Sequence, residues 1–151
     1  MKKSILLGLF LAIAACSGGG ASAPASSSTT ERPKPPAGAM TLSAVDYKFS
    51  PSTIALKVGT PVTLFITNDS TSENHDLKSS IPITALSYAR ADNAADEQKD
   101  NVANNQLDVD FALGHYAEVT FTPTTAGTFP FSCGEPGHKD KGMQGAFVVT
   151  P

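Results

Sequence analysis

Short runs of alternating apolar and polar residues, each closed by a turn former, constrain this chain more than any other feature. Leu42 and Ala44, then Val45, Tyr47 and Phe49, alternate with polar neighbours, and the change of phase at Ala44-Val45 predicts a bulge. Ser50-Pro51-Ser52 ends that run. Ile54, Leu56 and Val58 resume the period, Gly59-Thr60-Pro61 turns the chain, and Val62, Leu64 and Ile66 continue it. Asn68 to Ser72 reads as a loop, with His75-Asp76-Leu77-Lys78 opening the next strand. Leu107 to Leu113, Val119 with Phe121, Phe129 to Cys133 and Ala146 to Thr150 supply the remaining strands. About eight short strands at this spacing predict an all-β fold, a β-sandwich. The exception is Ala85 to Ala103. Its stretch Tyr88 to Lys99 is alanine-rich and charged, and predicts one short exposed helix or a loop insertion.

The chain before Met40 has a different character. Lys2 and Lys3 precede an apolar run, Ile5 to Ala15, too short to span a bilayer as a mature helix; residues 1–16 read as an export signal. The ending Leu11-Ala12-Ile13-Ala14-Ala15-Cys16 resembles the bacterial lipobox, which implies cleavage before Cys16 and its lipidation. Ser17 resembles the pattern that permits outer-membrane sorting. Residues 17–39 hold Gly18-Gly19-Gly20, Ser26-Ser27-Ser28 and Pro33-Lys34-Pro35-Pro36, a composition that cannot build a core and predicts a disordered tether. Residues 40–151 are then the folded domain. The formal charge of −3 becomes about −5 once Lys2 and Lys3 are removed, which argues against nucleic acid as a partner.

Chemistry concentrates between Pro130 and Gly145. A thiol at Cys133, an imidazole at His138 and a thioether at Met143 stand five residues apart, among glycines, a proline and lysines. With Cys16 lipidated, Cys133 has no disulfide partner in an oxidising compartment, so it is either a buried core cysteine or a metal ligand. Thiolate and thioether donors with imidazole select copper, and a Cys with two His and a weak Met describes a blue-copper site. Structural zinc favours a closed shell of Cys, His or carboxylate instead. The segment lacks only a second histidine. His115 follows Gly114 in a predicted turn, with no sulfur or imidazole at a matching spacing, and reads as a surface residue.

Several motifs resemble the cupredoxins, the type 1 blue copper proteins. Tyr47-Lys48-Phe49-Ser50-Pro51, Ile54 to Gly59, Val62 to Asn68 and His75 look like the first half of that family's domain. Phe121-Thr122-Pro123, Ala126-Gly127-Thr128-Phe129 and Cys133 to Gly145 look like the second. The Cys-x4-His-x4-Met spacing is similar to that of auracyanin-like members, whereas plastocyanins are shorter between Cys and His and azurins between His and Met. The match covers most of Thr41 to Thr150 and is poorest over 85–105. The resemblance implies a Greek-key sandwich holding one copper ion. His75, Cys133 and His138 would be the strong ligands and Met143 the weak axial one, with electrons passing through an exposed edge of His138 among apolar residues. One position departs: Asp76 stands where the family commonly has an Asn that braces the cysteine loop. An ionised carboxylate there would favour Cu(II) and lower the potential.

The expectation is therefore an electron-transfer protein and not an enzyme. It would be a monomer, lipid-anchored on the periplasmic side or the cell surface. It would shuttle single electrons between redox partners such as a cytochrome, a terminal oxidase or another copper protein. The alternatives are a copper-binding lipoprotein for buffering, resistance or delivery, and a metal-free sandwich serving as an interaction module. Lys139 and Lys141, next to His138, are either solvated loop charges or a steering patch for an acidic partner.

Overall fold

The computed structural model describes residues 32–151. The expected export signal, Cys16 and the expected tether through residue 31 lie outside the described residues. Residues 32–39 contain no helix or strand. They make a turn in which the Ala39 amide donates to the Pro36 carbonyl, and Arg32 pairs with Asp69 and donates to the Asn68 carbonyl. The end of the expected tether thus lies against the domain.

Two five-stranded sheets face each other. One has the order β2-β1-β4-β8-β6, built from β1 (Met40–Val45), β2 (Lys48–Ser50), β4 (Val62–Asn68), β6 (Ile83–Arg90) and β8 (Tyr116–Pro123). The other has the order β3-β10-β9-β5-β7, from β3 (Thr53–Lys57), β5 (His75–Ser79), β7 (Leu107–Phe111), β9 (Gly127–Ser132) and β10 (Gln144–Thr150). Pairing is antiparallel except for β1 with β4 and β3 with β10. The alternating residues read from the sequence fill the space between the sheets. Leu42, Leu64, Ile66, Leu77, Val109, Phe111, Val119, Phe121, Phe131 and Phe147 are all 1% exposed or less. At about 25 cal/mol per Å² of apolar surface, this burial is the main force joining the sheets.

Ten strands form where about eight were expected, for two local reasons. The phase change near Val45 is a hairpin rather than a bulge: Val45 pairs with Lys48 around Asp46-Tyr47, with Asp46 at a φ of 50°. Tyr88 to Arg90 are strand, not helix. Register shifts between Thr84 and Ser87 and between Tyr88 and Arg90 interrupt the pairing with β8, and Ala85 has a φ of 54°. Those irregularities bring both Ile83 and Leu86 inside at a three-residue spacing, which hides the period of two. The predicted helix begins later, as α1 (Ala95–Asn104), and ends at Asn105 in the left-handed conformation that Asn tolerates. It lies on the surface, its one buried residue being Asn101.

The topology gathers four chain segments at one end. His75 opens β5, Cys133 follows β9, and Met143 precedes β10 at the same end, because Gln144 pairs with Ser132. The turn between β1 and β2 joins them, through the Asp46 amide that donates to Ser70 Oγ in the loop before His75.

Candidate metal centre

Cys133 and Met143 bracket a nine-residue loop closed by its own backbone. The Cys133 amide donates to the Met143 carbonyl, the His138 amide to Glu135, and the Met143 amide to the His138 carbonyl. These bonds fold the segment into successive turns and point His138 back toward the thiol. Cys133 and Met143 are 1% and 0% exposed, His75 2% and His138 6%. Buried imidazoles and thiols need partners, and here they find each other.

The two histidines turn the same nitrogen inward. His75 Nδ1 lies 3.2 Å from His138 Nδ1, and Cys133 Sγ lies 3.8 Å from the first and 3.5 Å from the second. The point equidistant from all three atoms is about 2.0 Å from each, which matches metal–imidazole bond lengths and is slightly short for metal–sulfur. Three donors from separate segments thus surround a space the size of one ion, on the trigonal His₂Cys plan of a blue-copper centre. The buried Met143 closes the loop beside them. The residues present therefore fit copper.

Protonation follows from burial. Desolvation, then the neighbouring His138, push His75 below its ordinary value, so its ring is a neutral donor at neutral pH. Burial drives the Cys133 thiol up to about 12, while backbone amides of Asp76 and Glu135 donating toward the sulfur pull the other way. A metal ion entering the site must displace that proton, which ties affinity to pH.

The surroundings hold the ligand set in place, and several of these residues had no signal in the sequence beyond a loop composition. Ser70 Oγ lies 2.7 Å from His75 Nε2 and accepts the Asp46 amide. With Nδ1 facing the thiol, Nε2 carries the proton and donates to Ser70, which fixes ring and tautomer together. Asn68, fully buried, anchors the same loop. Its Nδ2 donates to the Glu73 and Phe111 carbonyls at 2.8 and 3.2 Å, and its Oδ1 accepts the Ser70 amide. Asp76 Oδ1 accepts the Gly134 amide, bracing the residue after the cysteine. His138 meets the Tyr47 ring edge-on at 5.0 Å, Lys141 Nζ sits 3.8 Å from the Tyr47 ring centre, and Glu73 Oε2 is 3.8 Å from His138 Nε2. The edge of His138 is thus more covered and more polar than the expected apolar opening. His115 is a surface residue, as its spacing implied, and pairs with Asp92 at 3.0 Å.

Residues 37–150 match the plastocyanin/azurin family of copper binding proteins. Among solved structures, dithionite-reduced auracyanin from the photosynthetic bacterium Roseiflexus castenholzii is similar at 18% identity, over 76% of this chain and 98% of that one, with a TM-score of 0.54. Auracyanin B is similar at 23% identity, over 79% of this chain and 93% of that one, with a TM-score of 0.53. At such identities the likeness speaks for the sandwich fold. No curated protein sequence matches the chain.

Proposed function

We propose a function from the premise that the chain belongs to the plastocyanin/azurin family of copper-binding proteins: it carries single electrons, with one copper ion held by His75, Cys133, His138 and Met143. The observation that carries this reading is the convergence of two Nδ1 atoms and one thiol within 3.8 Å of one another. When bound, copper supplies a one-electron couple between Cu(I) and Cu(II), and no substrate is chemically transformed. The protein's part is to make both states share one geometry. Soft sulfur donors favour Cu(I), imidazoles accept either state, and the hydrogen bonds of Ser70, Asn68 and Asp76 resist rearrangement between them. Burial of all four donors also supports electron transfer over copper delivery, since a delivery site benefits from exposed, exchangeable ligands.

His138 is the proposed point of entry and exit, with Tyr47 packed on its ring. Two of the large apolar side chains exposed among the described residues flank this end. Val45 precedes Asp46, which is bonded to Ser70, and the amide of Leu113 donates to Asn74, next to His75. They support a small apolar contact surface for a redox protein partner. The N-terminal sequence supports export and anchoring through an acylated Cys16, with the domain on the periplasmic side or cell surface. Cys16→Ser is expected to move the protein from the membrane fraction to the soluble fraction.

The direct test is spectroscopic. Adding Cu(II) to the purified domain is expected to produce intense thiolate-to-copper absorption in the visible, and Cys133→Ser to abolish it while the far-ultraviolet circular dichroism stays unchanged. A colourless copper adduct, or colour that survives Cys133→Ser, would sink the reading. Slow copper loss with rapid electron self-exchange would separate electron transfer from delivery.

A further inference from the structure

Four charged side chains crowd the outer face of the β5–β7 ladder. Asp76 lies opposite Asp110 and Lys78 opposite Asp108, and carboxylate oxygens of the three acids come within 4.8 Å of one another. Facing like charges in a sheet repel, and Asp76 and Asp108 are 6% and 7% exposed. Lys78 is their counter-charge, with Nζ 3.1 Å from Asp108 Oδ2 and 3.4 Å from Asp76 Oδ2. Burial alone would lower the Lys78 pKa. The two carboxylates outweigh it and hold the ammonium above its ordinary range, so the positive charge is permanent.

That charge stands one carboxylate away from the backbone amide that follows the thiol. Asp76 receives the Gly134 amide on Oδ1 while Lys78 holds Oδ2. A Cβ on Gly134 would lie 2.7 Å from both Asp76 Oδ2 and Lys78 Cε. The backbone directly after Cys133 therefore rests on the carboxylate and on the lysine stem, and a side chain there would push them aside.

We propose that Lys78 is a positioning residue for the Cys133 thiolate. Its stem floors the Cys133–Gly134 peptide, and its ammonium fixes the Asp76 carboxylate in the orientation that receives the Gly134 amide while offsetting that carboxylate's negative charge. The assignment rests on the copper reading above. An uncompensated carboxylate beside the site stabilises the more positive Cu(II) state and lowers the reduction potential; Lys78 opposes it and raises the potential.

Lys78→Met keeps the stem and removes the charge, whereas Lys78→Arg keeps the charge. In the metal-free protein the Gly134 amide proton resonance is expected to shift in Lys78→Met and to stay near its original position in Lys78→Arg. With copper bound, voltammetry is expected to give a lower potential for Lys78→Met, little change for Lys78→Arg and a higher potential for Asp76→Asn. An unmoved Gly134 resonance with an unchanged or raised potential in Lys78→Met overturns the proposal. If that variant does not fold, Lys78→Gln, which also removes the charge and keeps most of the stem, takes its place and is judged by the same resonance and potential. A wild-type protein without thiolate-to-copper colour overturns the copper reading instead, and the Gly134 resonance in the metal-free protein then decides the role of Lys78.

Discussion

Asp110 carries its charge at a cost that pH exposes. It faces Asp76 across the β5–β7 ladder. Burial, followed by the carboxylates of Glu97, Asp108 and Asp76, pushes its pKa up to about 6 from an ordinary 3.8. A carboxyl group whose folded value lies above its unfolded value binds its proton more tightly when folded, so its ionisation opposes folding. The penalty is complete above the folded value and vanishes below the unfolded one. Asp110→Asn is therefore expected to raise the melting temperature of the metal-free protein at about pH 8, with the gain fading toward zero by about pH 4. Thermal unfolding followed by circular dichroism at both pH values checks this. The sequence displayed Asp108 and Asp110 as the polar half of an alternating strand. That they share a face with Asp76 and Lys78 depended on pairing register, which side-chain alternation within one strand cannot supply. Asn68 and Ser70 are a similar case, since Asn, Asp and Ser in a loop announce a turn whether or not they also orient a histidine.

At the scale of elements, the seam between β9 and β10 sets the spacing of Cys133 and Met143. Gly145 pairs with Phe131 there, and a Cβ on it would run into the Phe131 ring and the Ser52 carbonyl oxygen. The Phe131 ring also packs on Phe49 and Phe147, with centroids 5.3 and 4.8 Å away, so it has little room to yield. Gly145→Ala is expected to cost about 1–3 kcal/mol through overpacking. A lower denaturation midpoint with an unchanged slope in urea would show it; an unaltered midpoint would mean that the strand shifts without penalty. Strands with clean alternation, such as β3, β8 and β10, were legible from the sequence because one face of each is buried. β6 was not, because its bulges replace a period of two with a spacing that alanines and charges then make helix-like.

For the whole molecule, charge and contact surface at the metal end decide whom the protein meets. The net charge is negative, yet Lys139 and Lys141 follow His138. Lys141 is held over Tyr47, which itself packs on His138, so one of the two charges is built into the proposed electron path. Reversing both, Lys139→Glu with Lys141→Glu, is expected to slow electron exchange with an acidic redox protein roughly tenfold at low ionic strength. The difference should shrink as salt screens the encounter; stopped-flow rates equal to wild type at low salt would remove the steering role. The sequence by itself determined the sandwich, because alternating burial leaves short strands few other ways to hide one face. It also determined three of the donors, because Cys133, His138 and Met143 lie on one loop whose spacing is covalent. Tertiary structure decided the rest. It brought His75 from another strand to within 3.8 Å of the thiol, turned Nδ1 inward by bonding Nε2 to Ser70, and set Asp76 and Lys78 under Gly134. Each of these depends on which strands pair and in what register, a property of the packed chain that no local spacing encodes.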